Sequence, residues 1–200
     1  MSNKNTHIKK AEYLENLFGC TGRKAVVTGA SSGLGAEISR ALVHAGAQVI
    51  GVARRKEKLD LLREELIAQN GSFVSCVADI RNGDGIDQII DMVNDAGGCD
   101  IVVANAATAD RQLLKNINRT DFDQLIELNL TLQWQLAKSL FPTLANSGTG
   151  RFIQIASIYS LGASVINGLG AYTISKHALL GLTRSLAVEW AQHGITVNAI

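Results

Sequence analysis

A tyrosine and a lysine stand one helical turn apart near the end of the chain, and together their side chains could move a proton. Tyr172 and Lys176 lie in a segment from Ala171 to His193 with helical composition and period, so they share one face of the predicted helix. A free tyrosine ionises near pH ~10, and a neighbouring cation favours the phenolate. The pair predicts a general acid and base. This spacing is common on helices, so its interpretation depends on the rest of the chain.

Two further polar residues could serve the same chemistry. Ser157 closes the strand-like run from Arg151 to Ala156, and a hydroxyl at a strand's carboxyl end can hydrogen-bond the substrate oxygen that the tyrosine protonates. Asn129 lies inside a predicted helix from Asp121 to Leu144. An asparagine in an apolar helical run often bonds locally or at an interface, so its role stays open at this point.

A glycine-rich turn follows the first predicted strand. The strand Lys24–Thr28 runs into a turn from Gly29 to Gly35 and then a helix to His44. Glycines let the backbone approach a ligand, and the helix N-terminus offers free N–H groups to phosphate. The turn therefore predicts a pyrophosphate site. Its G-x-x-x-G-x-G spacing differs from the general G-x-G-x-x-G fingerprint, but its position after the first strand supports the interpretation.

The tip of the second predicted strand carries positive charge. Gln48–Val52 is followed by Ala53 and Arg54. In such sheets an acidic residue here binds the 2′-hydroxyl of NAD, whereas arginine accommodates a 2′-phosphate. The sequence thus favours NADP(H) over NAD(H). The alternative is that the basic run from Arg54 to Lys56 is only a solvated helix start.

The third and fourth predicted strands end in residues that could line the same site. Asp79 follows the strand Ser72–Val77 and could either contact adenine or cap a turn. The fourth strand, Asp100–Ala104, leads into the small residues of 105–108, which suit a backbone lying close to a flat ring.

Strands and helices alternate along the chain, and a sixth strand begins at Ile195. This order predicts an α/β fold, a doubly wound parallel sheet with strand order 3-2-1-4-5-6 and helices on both faces. Residues 1–22 are predicted to be an N-terminal extension, containing a short amphipathic helix from Ala11 to Phe18 that packs on the fold. Residues 23–200 are predicted to form a single dinucleotide-binding domain.

Composition excludes several classes of protein. The 200 residues are 46% hydrophobic and 18% charged with a net charge of +1, so no overall field favours nucleic acid or anionic lipid. No run approaches the ~18 apolar residues of a membrane span. The three cysteines, Cys20, Cys76 and Cys99, show no metal-ligand spacing. We expect no metal and a reduced, cytoplasmic compartment.

Over almost its whole length after Leu17 the chain closely resembles the short-chain dehydrogenase/reductase family. The likeness is carried, in order, by Thr28-Gly-Ala-Ser-Ser-Gly-Leu-Gly35, Asp79, Asn105-Ala106, Asn129, Ser157, Tyr172, Lys176 and Val197-Asn-Ala-Ile200. The resemblance implies a Rossmann-type fold and interconversion of a ketone and a secondary alcohol. It also implies that Tyr172 donates and accepts the proton and that Ser157 orients the carbonyl. Lys176 would hold the nicotinamide ribose, and Asn129 would complete a water-linked proton relay to it.

The same resemblance implies a cofactor site and an assembly. The implied cofactor-binding residues are Gly29, Ser31, Ser32, Gly33, Leu34, Gly35, Arg54, Asp79, Ile80, Asn105, Ala106, Tyr172 and Lys176. Family members usually pair through the two long helices, here 121–144 and 171–193, so a homodimer or homotetramer is expected.

The chain departs from the family pattern in three places. The usual Asn-Asn-Ala-Gly is Ala104-Asn-Ala-Ala107 here, and Ser157 is separated from Tyr172 by two residues more than is common. The family also continues past this chain's end with a Pro-Gly turn and a lid over the substrate, whereas the chain's one proline is Pro142. The substrate side is therefore expected to be incomplete.

The leading functional hypothesis is an NADP(H)-dependent reductase of a ketone. Within the family, Leu17-Phe18, Ala53-Arg-Arg55 and Ala187-Val-Glu-Trp-Ala191 resemble members acting on sugar acids, such as gluconate dehydrogenases. One alternative is a 3-oxoacyl thioester reductase. Another is a non-catalytic regulatory protein that senses the dinucleotide, although a sensor has no need of the proton shuttle.

Overall fold

The computed structural model describes residues 12–163 and 166–200. In this part of the chain six strands form one sheet in the order β3-β2-β1-β4-β5-β6, and every neighbouring pair is parallel. The strands are β1 (Lys24–Thr28), β2 (Gln48–Ala53), β3 (Ser72–Val77), β4 (Ile101–Ala104), β5 (Arg151–Gln154) and β6 (Thr196–Ala199). The predicted fold class and strand order are confirmed.

Helices connect successive strands. They are α1 (12–18), α2 (Gly33–His44), α3 (Lys56–Ala68), α4 (Gly85–Asp95), α5 (Arg119–Ile126), α6 (Leu132–Asn146) and α7 (Gly170–Trp190). A π-helical segment, Glu127–Thr131, joins α5 to α6, and 3₁₀ turns occupy Ile158–Ser160 and Ala191–His193. The predicted helix 121–144 is thus two α-helices around a π-helical segment rather than one regular helix.

The strands are buried on both faces because helices cover the sheet on both sides. In β1, Ala25 and Val27 join a core under α2 and α3, whereas Val26 between them joins a second core under α4, α6 and α7. Side chains alternate between faces along a strand, so both faces of a two-sided sheet must be apolar. This explains why β1 reads as a continuous apolar run.

Helix α1 forms as predicted, but it does not bury its apolar side chains against the fold. Its apolar side chains are exposed rather than packed on the fold: Tyr13, Leu14, Leu17 and Phe18 are 44–71% accessible. The helix end is fixed instead by polar contacts, since Glu15 accepts hydrogen bonds from the Gly19 N–H at 2.7 Å and from Thr21 Oγ1 at 2.7 Å.

The carboxyl ends of the central strands are tied together by one hydroxyl and one carboxamide. Thr28 Oγ1, at the end of β1, accepts hydrogen bonds from the N–H groups of Asn105 and Ala106, both at 3.0 Å. The Asn105 side chain donates in return to the Thr28 carbonyl at 2.9 Å. The glycine turn after β1 and the loop after β4 therefore form one packed unit.

Gly35 is where that unit meets helix α2. A Cβ at this position would lie 2.6 Å from Asn105 Nδ2 and even closer to the Gly29 carbonyl oxygen. Gly29 itself has φ +70°, a conformation that L side chains rarely adopt. The helix can start this close to β1 because neither residue carries a side chain.

We expect Gly35→Ala to lower the free energy of unfolding by about 1–3 kcal/mol, because the added methyl overlaps backbone that cannot move freely. Gly181→Ala is the matched control: Gly181 is exposed within α7, and a Cβ there meets nothing within 4 Å. That change should stabilise the helix by about 0.5–1 kcal/mol. Urea unfolding of both variants measures the difference, and effects of the same sign would contradict the packing described here.

Candidate functional site

A cavity of about 500 Å³ opens at the carboxyl ends of the four strands β1 to β4. Ligands of open α/β sheets bind at this edge. Nine of the predicted cofactor residues line it, namely Gly29, Ser31, Ser32, Leu34, Arg54, Asp79, Ile80, Asn105 and Ala106. Gly33, Gly35, Tyr172 and Lys176 do not line it. Gly33 and Gly35 form the first turn of α2, and Tyr172 and Lys176 lie on α7.

The glycine turn presents backbone to this cavity. Ser32 occupies the N-cap position of α2, but its hydroxyl makes no capping hydrogen bond. Gly33 has φ +55°, and a Cβ there would meet nothing within 4 Å. The first N–H groups of a helix lack partners within the helix, so this turn can offer them to a phosphate.

Asp79 lines the cavity and also caps a turn, and its contact with adenine stays a prediction. Its carboxylate accepts from the Arg81 N–H at 3.1 Å and from Arg81 Nη2 at 2.8 Å, and Arg54 Nη1 lies 3.6 Å from Asp79 Oδ2. The Arg81 hydrogen bonds are the main cause that lowers the pKa of Asp79. Arg54, which the sequence analysis singled out, is thus already engaged by a carboxylate.

Arg55, by contrast, crosses to the glycine turn. Its guanidinium donates to Ser31 Oγ at 2.8 Å and to Ser32 Oγ at 2.6 Å. No carboxylate among the described residues forms an ion pair with it. Arg55 is not among the cofactor-binding residues predicted from the sequence, because nothing in the sequence tells which of two adjacent arginines points at the turn.

The predicted catalytic residues gather around the end of β5 and the start of α7. Ser157 caps the 3₁₀ turn Ile158–Ser160, where its Oγ accepts from the Tyr159 N–H at 3.2 Å. Tyr172 is half-buried in the first turn of α7, and α7 packs against that 3₁₀ turn.

Lys176 is a buried cation beside the tyrosine. It is 3% exposed, and its Nζ donates to the Ile155 carbonyl at 2.5 Å. The same nitrogen lies 5.7 Å from the centroid of the Tyr172 ring. Burial lowers the pKa of Lys176 from 10.5 to about 8, because the charged form loses hydration that one carbonyl only partly replaces.

Asn129 links the loop after β4 to α7. It is buried at the centre of the π-helical segment. Its side chain accepts from the Thr108 N–H at 2.8 Å, donates to the Thr108 carbonyl at 2.8 Å and donates to Ser175 Oγ at 3.1 Å. Ser175 in turn donates to the Tyr172 carbonyl at 2.7 Å. Asn129 therefore reaches the Tyr172 backbone, whereas no direct hydrogen bond joins it to Lys176 in the described chain.

Two carboxamides four residues apart, one of them within the π-helical segment, reach the loop after β4. The Leu132 N–H donates to the Glu127 carbonyl, so this segment carries one extra residue per turn, a feature frequent at functional sites. Gln133, at the start of α6, also contacts the loop, donating from Nε2 to the Ala106 carbonyl at 2.7 Å. Sequence reasoning missed Gln133; its helical offset from Asn129 was the one available signal.

Residues 12–163 and 166–200 contain neither a membrane-spanning helix nor a metal-binding cluster of side chains. No helix in these ranges is both long and apolar enough to cross a membrane. No group of three or more His, Cys, Asp or Glu side chains in them is arranged to hold a metal ion.

Comparison with known proteins gives the same picture. Residues 23–200 match the short chain dehydrogenase family. The gluconate 5-dehydrogenase of Gluconobacter oxydans is 30% identical over 186 residues, which cover 92% of this chain and 72% of that protein. The 3-oxoacyl-[acyl-carrier-protein] reductase of Rickettsia bellii is 34% identical over 180 residues, covering 90% and 71%.

A solved structure is similarly close. A metagenomic short-chain oxidoreductase in complex with NADP superposes with a TM-score of 0.83 at 35% identity, covering 90% of this chain and 81% of that one. The family match over residues 23–200 takes in all six strands, the glycine turn and the Tyr172–Lys176 pair. This chain therefore belongs to the short-chain dehydrogenase family of oxidoreductases.

Proposed function

We propose that the protein is an NADP(H)-dependent oxidoreductase that interconverts a ketone and a secondary alcohol, with Tyr172 as general acid and base. The observation that carries this proposal is the buried Lys176, held against the end of β5 by the Ile155 carbonyl and against the Tyr172 ring. A buried cation costs stability, and its position beside the predicted tyrosine supports a catalytic use.

The residues of the cavity fit a nicotinamide dinucleotide phosphate. The glycine turn and the N-terminus of α2 would hold the pyrophosphate, Asp79 and Ile80 would face the adenine, and Asn105 and Ala106 would lie nearer the nicotinamide ribose. Arg54 and Arg55 stand where a 2′-phosphate would lie, and a family neighbour was solved with NADP. When bound, the cofactor supplies or takes up the hydride.

The chain's own residues would handle the proton. In the direction of reduction, Tyr172 Oη gives its proton to the carbonyl oxygen as that carbon takes up a hydride. Ser157 Oγ donates a hydrogen bond to the same oxygen, and the Lys176 ammonium stabilises the phenolate left behind. Asn129 and Ser175 would fix the first turn of α7, so that tyrosine and serine face one substrate atom.

For the substrate we propose a sugar acid such as a keto-gluconate. The gluconate 5-dehydrogenase among the relatives supports this choice. A 3-oxoacyl thioester is the second candidate, because the reductase from Rickettsia bellii is equally similar. A panel that contains both classes separates them.

We also propose a homodimer or homotetramer formed through α6 and α7. Trp134 and Val188 on these helices are 44% and 80% exposed, and apolar side chains clustered on paired helices suit a partner copy. Sedimentation velocity showing only monomer would oppose this assembly.

Tyr172→Phe tests the proposed chemistry. The variant should lose about 10²–10⁴-fold in turnover, while NADPH binding, followed by its fluorescence, stays near that of the wild type. The substrates are a keto-sugar acid and a β-ketoacyl thioester. Turnover unchanged by the substitution would remove Tyr172 as the proton donor, whereas NADPH binding by the wild type without turnover of either substrate would favour the non-catalytic, cofactor-sensing role.

Substitution of Arg54 and Arg55 tests the proposed preference for NADPH over NADH. Arg54→Ala and Arg55→Ala should each weaken NADPH binding by about 10-fold or more, because each removes a guanidinium that a phosphate would pair with. NADH binding should hardly change. Titration with both cofactors measures this, and equal losses for NADPH and NADH would oppose a 2′-phosphate site at these residues.

Lys176→Met should inactivate the protein and yet stabilise it. The folded-state pKa of Lys176, about 8, lies below its usual value of 10.5, so burying the charge costs at most about 3 kcal/mol at neutral pH. The unfolded chain binds more protons between these two pH values, so the wild type gains stability as pH rises through that window. The advantage of the variant in urea unfolding should therefore shrink from pH 8 to pH 10, and a constant difference would contradict the assigned cause.

A further inference from the structure

The loop after β4 uses almost all of its backbone N–H groups internally. In residues 105–108, the Asn105 and Ala106 N–H groups donate to Thr28 Oγ1 and the Thr108 N–H donates to Asn129 Oδ1. The Ala107 N–H has no partner in the described chain. Ala107 is exposed, so this N–H is open to solvent and can also reach a ligand in the cavity that Ala107 lines.

Gln133 fixes the direction of that unpaired donor. Its side chain is 2% exposed, and its Nε2 donates to the Ala106 carbonyl at 2.7 Å and to the Leu128 carbonyl at 3.1 Å. The Ala106 carbonyl and the Ala107 N–H belong to the same peptide group. The described chain contains no cis peptide bond, so the N–H points away from the carbonyl and hence away from Gln133.

Ala106 and Ala107 line the cavity, whereas Gln133 does not. The Ala107 N–H, which points away from Gln133, is therefore the donor of this peptide group that is available to the cavity. The Gln133 side chain bonds the Ala106 carbonyl through its nitrogen, and its buried Oε1 has no hydrogen-bond partner in the described chain.

We propose that Gln133 is a positioning residue for the cofactor: it holds the Ala106 carbonyl so that the Ala107 N–H becomes a hydrogen-bond donor to the bound dinucleotide. The inference rests on the proposed NADP(H) site and adds a specific donor and the side chain that aims it. Gln133 acts through the peptide group and does not itself touch the ligand.

Two measurements test this role. The first is the dissociation constant of NADPH, read from its fluorescence, for the wild type, Gln133→Met and the matched control Gln135→Met. Gln135 is half-buried on the same helix and lines a different cavity, one that contains no residue of 105–108. We expect Gln133→Met to weaken binding on the order of tenfold and Gln135→Met to change it by less than about twofold.

The second measurement separates positioning from general stability. In protein labelled with ¹⁵N-alanine, the Ala107 amide resonance of the wild type should shift strongly on NADPH addition, and this shift should be lost in folded Gln133→Met. If that variant does not fold, Gln133→Glu replaces it. The introduced carboxyl can donate to the Ala106 carbonyl only when protonated, so NADPH binding should approach the wild-type value at low pH and weaken as pH rises, relative to the wild type at each pH.

The outcomes are distinguishable. NADPH binding by the wild type with an unshifted Ala107 amide, or wild-type affinity in Gln133→Met, would overturn the role of Gln133 and leave the proposed function intact. Failure of the wild type to bind NADPH at all would overturn the proposed cofactor and this inference together.

Discussion

The contact between the Lys176 ammonium and the Ile155 carbonyl is the interaction on which the proposed catalytic end depends. It places a cation in an interior position that is 3% exposed, where charge is costly. The packing of α7 on β5 supports it: Thr183 Oγ1 donates to Gln154 Oε1 at 2.5 Å, and Phe152 packs edge-on against Trp190 at 5.9 Å. These apolar and polar contacts offset the free-energy cost of burying the Lys176 ammonium. The fold thus gives up some stability to hold a charge in a defined position.

The loop 105–108 connects this catalytic end to the cofactor cavity. On one side Thr28 and Asn105 join it to the glycine turn, and on the other Asn129 and Gln133 join it to the π-helical segment and α6. Through Ser175 the same network reaches the backbone of Tyr172. A shift of the loop would therefore displace side chains at both ends of the site, because packed groups in contact do not move independently.

At the other end of the cavity the arginines divide into two sets. Arg54 and Arg81 share the carboxylate of Asp79, whereas Arg55 is held by two neutral hydroxyls. Hydroxyl groups cannot neutralise a guanidinium, so positive charge remains at the mouth next to the N-terminus of α2. An anionic ligand at this place would gain both from the charge and from the helix dipole.

The sequence by itself predicted the succession of strands and helices, the glycine turn and the candidate residues Ser157, Tyr172 and Lys176, because periodicity of two or 3.6 residues and motif order are properties of the sequence. The strand order in the sheet followed from the doubly wound arrangement that this alternation favours. Tertiary structure decided what those patterns leave open. The π-helical break around Asn129, the turn of Arg55 towards Ser31, the exposure of α1 and the reach of Gln133 to Ala106 each depend on residues far apart in the chain. The direction of a side chain is set by the neighbours that the fold brings close to it. These neighbours are determined only when the sheet and its helices pack together.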